Sequence, residues 1–153
     1  MQIKRNKSNK IKLLKMTKIT VEAIIKSKIG KVWNAWTKPQ EITKWCFATD
    51  DWEAPFAEND LKVGGKFVTK MSAKDKSFSF DFGGVYTQVI LNKLIEYKME
   101  EGREVRISFE EGPQGVKVVE TFDAEKENSA EMQKQGWQAI LNNFKKYVES
   151  KES

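Results

Sequence analysis

The alternation of apolar and polar residues near the start of the chain predicts a strand followed by a helix. Between Ile19 and Lys26 the apolar residues recur at every second position, which is the period of a strand with one buried face. After Ser27 the apolar positions recur at i, i+3, i+4 and i+7, the spacing of a helix, and they are Ile29, Val32, Trp33 and Trp36. Ser27 is predicted to cap this helix, because a serine hydroxyl accepts hydrogen bonds from the free N–H groups of a first turn.

A second, short helix is predicted directly after the first. Thr37 and Gln40 have the spacing of a capping box, and Pro39 stands just inside the start, where its missing N–H costs little. Ile42 and Trp45 would point inward from this helix.

From Trp52 onward the chain has the period of β-strands. Apolar alternation follows one face through Phe67–Met71 and again through Phe78–Phe82. After the pair Gly83–Gly84 the apolar positions resume at Val85, so their parity changes from even to odd. A β-bulge at the glycine pair is therefore predicted, since one extra residue restores a continuous face.

Two later segments complete the predicted sheet. Ile95–Met99 has the alternation of one strand face, and Val105–Phe109 with Val116–Phe122 reads as a hairpin.

A long amphipathic helix follows the strands. Asn128 is predicted to open it, with Glu131 at the third helical position. A helix over residues 129–149 would be roughly 30 Å long. Gly136 in its middle indicates a close approach of the sheet or room for the neighbouring Trp137. The apolar stripe consists of Met132, Trp137, Ile140, Leu141, Phe144 and Val148.

This order of elements predicts an α+β fold. One long C-terminal helix would lie on a curved antiparallel sheet of about six to seven strands, with two short helices after the first strand. Residues 16–153 would form a single domain. Residues 1–15 would form a disordered leader, because a short charged segment buries too little to become ordered. The alternative for this leader is a basic arm that binds an anionic partner.

The distribution of charge argues against nucleic acid as a partner of the domain. The chain has a net charge of +5, and the leader alone carries six lysine or arginine residues and no acid, so the remainder carries −1. There is no histidine and a single cysteine, Cys46. A serine–histidine triad, an imidazole zinc site and a thiolate cluster are thereby excluded.

Several motifs resemble a known family over Thr17 to about Glu149. They are WTKPQEITKW, DDW, AENDLKVGGKF, FDFGGVYTQV, ETFDAE and QGWQAILNNFKKYVE. They are similar to bacterial START-like (SRPBCC, helix-grip) proteins grouped as heat shock protein 90 ATPase activator homologues. The resemblance implies a helix-grip fold, in which the C-terminal helix grips a curved sheet and a cavity between them holds apolar ligands.

Glu120 is the main candidate for chemistry. It shares a strand face with Val116, Val118 and Phe122, so an inward face would place a carboxyl among hydrocarbon and raise its pKa. It would then be a general acid or an anchor for a polar ligand group; the alternative is a rim position paired with a lysine or arginine. Tyr86 is the second candidate, since it could donate a hydrogen bond into the cavity; the alternative is a surface or structural tyrosine.

The side chains expected to contact a ligand lie on the last helix, the concave sheet face and the short helices. They are Trp45, Trp52, Phe67, Phe80, Phe82, Phe109, Glu120, Trp137 and Leu141. The alternative is that the helix stripe is packed core without a void. Cys46 is expected to be a small core or interface residue. The acids between Asp50 and Asp60 lack the spacing of a calcium loop, so no metal and no cofactor is expected.

Three functions remain open at this point. The first is binding of a small apolar or amphipathic molecule between the last helix and the sheet. The second is an enzyme of the cyclase or hydratase type that uses Glu120 or Tyr86. The third, implied by the family name alone, is a chaperone-interaction domain. A cytoplasmic monomer or homodimer without integral membrane association is expected, because no apolar run is long enough to span a bilayer and no secretory signal is recognisable.

Overall fold

The chain folds into one antiparallel sheet and three helices, as described by a computed structural model that covers residues 17–152. In chain order the elements are β1 (Lys18–Ile25), α1 (Ile29–Thr37), α2 (Pro39–Ile42), β2 (Trp52–Asn59), β3 (Lys66–Ala73), β4 (Ser79–Ile90), β5 (Leu94–Lys98), β6 (Glu104–Gly112), β7 (Gly115–Asp123) and α3 (Ala130–Ser150). The predicted leader, residues 1–15, lies outside the described residues.

Within this range the sheet has seven strands in the order β1-β7-β6-β5-β4-β3-β2, and all neighbours are antiparallel. Strands β2 to β7 pair in chain order, and β1 lies beside β7 at the opposite edge from β2. The two short helices connect these edges, and α3 packs against the sheet at β1. The predicted α+β fold, with a long final helix on a single antiparallel sheet, is confirmed.

The core lies between the inward sheet face and the helices. The alternation in β1, β6 and β7 places one side of each strand inside, and α3 contributes its own apolar stripe. The most completely buried members include Val21, Ile107, Val118, Phe122, Leu141, Phe144 and Val148. None of the helices in residues 17–152 has the length and apolar character that a bilayer crossing requires.

Three of the predicted helix starts are wrong by one residue. The side chain of Ser129, not Asn128, caps α3 by accepting a hydrogen bond from the Met132 amide. Both short helices begin after a lysine whose side chain makes no capping bond. Thr37 instead ends α1, where its hydroxyl donates to the carbonyl of Trp33 four residues earlier at 2.8 Å. The hydroxyl of Ser27 likewise bonds elsewhere, donating to the carboxylate of Glu152 at 2.5 Å. Spacing alone does not show which of several groups such a side chain bonds.

The predicted bulge at the glycine pair is also wrong in its position. β4 pairs regularly with β3 through Gly83 and Gly84, and its register shifts against β5 between Tyr86 and Gln88. The even-numbered face therefore continues inward to Tyr86, while Val85 is exposed. The glycines have a steric role, since a Cβ at Gly83 would lie 2.3 Å from the carbonyl oxygen of Phe67.

The first turns of α3 extend beyond the core. Met132, assigned to the apolar stripe from its spacing, is 61% exposed. A Cβ at Gly136 would meet no atom within 4 Å, so the expected close approach of the sheet at this glycine does not occur.

Candidate functional site

A cavity of about 330 Å³ lies between the first half of α3 and the inward sheet face. β3, β4, β5 and β7 supply one wall, α3 supplies the opposite wall, and the α1–α2 region closes one end. The lining residues are Trp36, Ile42, Trp45, Cys46, Phe67, Thr69, Met71, Phe80, Phe82, Tyr86, Ile95, Tyr97, Met99, Arg103, Glu120, Glu125, Asn128, Gln133, Trp137 and Ile140. Most of this surface is hydrocarbon, which is typical of a small-molecule pocket.

Trp137 is the main contribution of α3 to the cavity wall. Its ring stacks on Phe122 with centroids 3.9 Å apart and planes at 12°, and Phe82 meets it edge-on at 5.8 Å. Because stacked and edge-to-face rings restrain one another, these contacts hold the indole in one orientation.

A second aromatic group closes the end near α1. Trp45 and Trp36 have ring centroids 5.0 Å apart, and both pack edge-on against Phe144. The indole N–H of Trp45 donates to the carbonyl of Ala35 at 2.9 Å, which satisfies its buried polar atom. These rings are rigidly placed, and Trp36 and Trp45 present part of their surface to the cavity.

Three of the predicted ligand contacts lie elsewhere. Phe109 packs between Trp33 and Trp36 in the core, and Leu141 has no exposed surface at all. Trp52 packs against Phe78 and Phe80 and does not line the cavity. All three side chains lie on the inward side of the molecule or at the edge of that side. The alternation of apolar residues predicts which face is inward, but it does not show where along that face a cavity lies. The structure places the other predicted contacts, Trp45, Phe67, Phe80, Phe82, Glu120 and Trp137, around the cavity.

Tyr86 lines the cavity, but its hydroxyl is already bonded. It donates to the side-chain oxygen of Asn59 at 2.5 Å, and the amide of Asn59 donates to the carbonyl of Thr37 at 2.6 Å. Burial raises the pKa of Tyr86, so the phenol stays protonated at neutral pH. This chain of bonds ties β4 to β2 and to the end of α1.

Glu120 is buried and unpaired. It stands in β7 opposite Val21 of β1 and Ile107 of β6, and only 5% of its surface is exposed. Its carboxyl forms no hydrogen bond within residues 17–152. Burial raises the pKa of Glu120 to about 8, so the carboxyl is mostly neutral at pH 7.

Tyr97 is a candidate that the sequence analysis missed. It is 6% exposed, and its hydroxyl has no hydrogen-bond partner among the described residues. Burial raises its pKa, and the charge of nearby Glu120 raises it further. The available signal was its place between Ile95 and Met99 on an inward strand face, where a tyrosine must place a hydroxyl among apolar groups.

The unpaired oxygens of Glu120 and Tyr97 face the cavity. No side-chain nitrogen or oxygen in residues 17–152 is both fully enclosed and without a partner. Since these two side chains lack partners and line the cavity, their oxygens must be accessible from it. The cavity therefore has apolar walls and two polar groups available to an occupant.

Cys46 also lines the cavity, and its thiol is chemically quiet. Burial, with a smaller effect from the charge of Glu120, raises the thiol pKa to about 12. The reactive thiolate is therefore scarce at neutral pH, and nucleophilic attack by this cysteine is disfavoured.

The lining residues that are also exposed, Phe80 and Asn128, mark the mouth of the cavity. Beside it, buried Gln133 of α3 secures the loop after β7. Its side-chain oxygen accepts from the Glu125 amide at 2.8 Å, and its nitrogen donates to the carbonyls of Glu125 and Asn128. Arg103, on the turn between β5 and β6, forms an ion pair with Glu101. No group of three potential metal ligands occurs within the described part of the chain.

Comparison with known proteins places this architecture in a recognised group. Residues 26–149 match the family described as Activator of Hsp90 ATPase homolog 1-like protein. A solution structure of an AHSA1-like protein from Aeromonas hydrophila is 44% identical, with a TM-score of 0.84, over 89% of this chain and 94% of that one. A solution structure from Cytophaga hutchinsonii is 53% identical, with a TM-score of 0.76, over 88% and 94% of the two chains.

More distant structures share the fold alone. A crystal structure of a protein from Nitrosomonas europaea is 16% identical, with a TM-score of 0.74, over 88% of this chain and 95% of that one. No curated protein matches the chain.

Proposed function

The chain belongs to the family of Activator of Hsp90 ATPase homolog 1-like proteins, and from that premise we propose that it binds a small apolar or amphipathic molecule in the cavity between α3 and the sheet. The observation that carries the proposal is a cavity of about 330 Å³ with aromatic walls and an unpaired, buried carboxyl. An apolar occupant would gain many contacts with the hydrocarbon walls, and such contacts are individually small and collectively large.

The arrangement of the walls supports an oriented ligand. Phe67, Phe82 and Trp137 offer ring surfaces to an apolar body, while Glu120 offers a polar contact on the β7 wall. The volume lies at the low end of the range of about 300–1,000 Å³ that is usual for ligand pockets, which favours a compact molecule.

Binding is preferred here to the cyclase or hydratase alternative. Tyr86 is one of the two candidates for acid–base chemistry, but its hydroxyl already donates a hydrogen bond to Asn59. The chaperone-interaction alternative rests on the family name alone, whereas the cavity supports ligand binding directly.

The proposal is tested with the neutral fluorophore N-phenyl-1-naphthylamine, whose emission rises in apolar surroundings. We expect saturable binding to one site on the native protein. Ile140 lines the cavity and is half-buried, so Ile140→Trp should fill the space and weaken binding by about tenfold or more, or 1.4 kcal/mol. Leu141→Trp would be a poor test, since Leu141 is fully enclosed by core and would be overpacked.

Met132→Trp is the matched control. Met132 lies on the same helix, is 61% exposed and does not line the cavity. Thermal unfolding should show that both variants are folded. Equal affinity of the native protein and Ile140→Trp would refute the proposed location.

A further inference from the structure

Two polar side chains, a carboxyl and a phenol, face the cavity without a hydrogen-bond partner. Glu120 on β7 and Tyr97 on β5 are separated in the sheet by β6, and both side chains point to the same inner face. Each is more than nine-tenths buried. They do not bond each other or any other group in residues 17–152. Because their oxygens are accessible from the cavity, an occupant that excludes water from them must itself offer these groups a hydrogen-bond partner.

The charged and titratable groups around the cavity restrict which ligand groups could pair with Glu120 and Tyr97. The side chains that share the cavity with Glu120 and can carry charge are Cys46, Tyr86, Tyr97, Arg103 and Glu125. The first three are neutral at pH 7, since burial raises the pKa of each. Arg103 is cationic and acts on Tyr97 electrostatically, which disfavours a second cation in the same space. A neutral Glu120 and a neutral Tyr97 are both O–H donors.

Resting on the proposed ligand binding, we infer that Glu120 and Tyr97 form a two-donor site that binds a carbonyl or phenolic oxygen of a planar apolar ligand. Glu120 lies close enough to Tyr97 for its charge to act on that hydroxyl, so an acceptor oxygen between them would pair with both without bringing a charge into an apolar cavity. A protonated amine would satisfy only an ionised Glu120, and both ions would first have to lose their water. The ring surfaces of Phe67, Phe82 and Trp137 suit a planar body.

The test uses three ligands that differ in one substituent. They are 2-acetylnaphthalene, the hydrocarbon 2-ethylnaphthalene and the ammonium form of 2-(1-aminoethyl)naphthalene, each measured by displacement of N-phenyl-1-naphthylamine. We expect the native protein at pH 7 to prefer the ketone to the hydrocarbon by about tenfold, as two hydrogen bonds would provide. Tyr97→Phe should reduce this preference about fivefold and leave the hydrocarbon affinity unchanged.

Tyr86→Phe is the matched control, because the Tyr86 hydroxyl is engaged by Asn59 and should not contribute to the preference. The ketone binds the protonated form of Glu120, so its affinity should fall about tenfold between pH 7 and pH 9 as the carboxyl ionises. Glu120→Gln keeps an N–H donor and should remove this pH dependence while the preference for the ketone remains.

The outcomes separate this inference from the proposed function. Hydrocarbon and ketone binding with equal affinity, or a preference that survives Tyr97→Phe, would overturn the two-donor site and leave the apolar cavity intact. Tighter binding of the ammonium ligand, rising with pH, would make Glu120 a cation site and also overturn it. Displacement of the fluorophore by none of the three ligands would overturn the two-donor site, and failure of N-phenyl-1-naphthylamine itself to bind would refute both proposals.

Discussion

Replacing Glu120 by glutamine should change how the stability of the protein depends on pH. Burial raises the pKa of this carboxyl from 4.5 to about 8. The native state therefore holds a proton that the unfolded chain releases between these values. Stability from this group is complete below pH 4.5 and is lost as the pH rises through 8, because the native protein must then bury a carboxylate.

The magnitude follows from proton linkage. A shift of this size makes the free energy of unfolding fall by about 3 kcal/mol between pH 5 and pH 8. Glutamine has nearly the same shape and does not ionise, so Glu120→Gln should lack this slope. The native protein and Glu120→Gln are compared by urea denaturation at several pH values. The dependence of the unfolding free energy on urea concentration should be the same for both proteins, which checks that unfolding is two-state.

Subtracting the unfolding free energies of the two proteins separates the contribution of Glu120 from that of the surface carboxyls. Glu41 and Glu149, whose pKa values are lowered by lysine partners, contribute in the opposite sense at lower pH and do so equally in both proteins. Parallel curves for the native protein and Glu120→Gln from pH 5 to pH 8 would refute the reasoning, since the carboxyl would then be ionised without cost.

Five further substitutions test the packing and the α3 cap by denaturation. Trp137→Ala should cost about 3 kcal/mol, because the stacked contact with its neighbours is lost, and a near-zero effect would mean that the ring is not packed. Ser129→Ala should cost about 1 kcal/mol through loss of the α3 cap, whereas Asn128→Ala should change stability little. Gly136→Ala should stabilise by up to about 1 kcal/mol, since its Cβ would meet no neighbour. Gly83→Ala should destabilise because its Cβ would press on a backbone carbonyl; the opposite sign for either glycine would contradict the geometry.

The strand faces could be predicted from the sequence because alternation has a period of two and the buried side is chemically distinct. Glu120 was found in this way, as a carboxyl that breaks an apolar series. Tyr97 was missed since a tyrosine in such a series resembles core. Its importance depends on an unpaired hydroxyl, which is a property of the assembled cavity and not of β5.

The extent of the cavity could not be predicted from periodicity. Phe109 and Leu141 point inward as expected, yet neighbouring elements bury them, and they do not line the cavity. The bulge in β4 was misplaced for a related reason. Its position is set by pairing with β5, whereas the glycines that suggested it respond to the approach of backbone from β3 and β5.

The pairing of the first strand with the last has a consequence for biosynthesis. Lys18 of β1 is the register partner of Asp123 of β7, and 105 positions separate them. During translation β1 and the apolar side chains of α1 leave the ribosome long before their partners exist. Contacts of such high sequence separation form late and slow folding. The nascent chain thus exposes tryptophans throughout most of its synthesis, and completion of the sheet must wait until β7 and α3 have emerged.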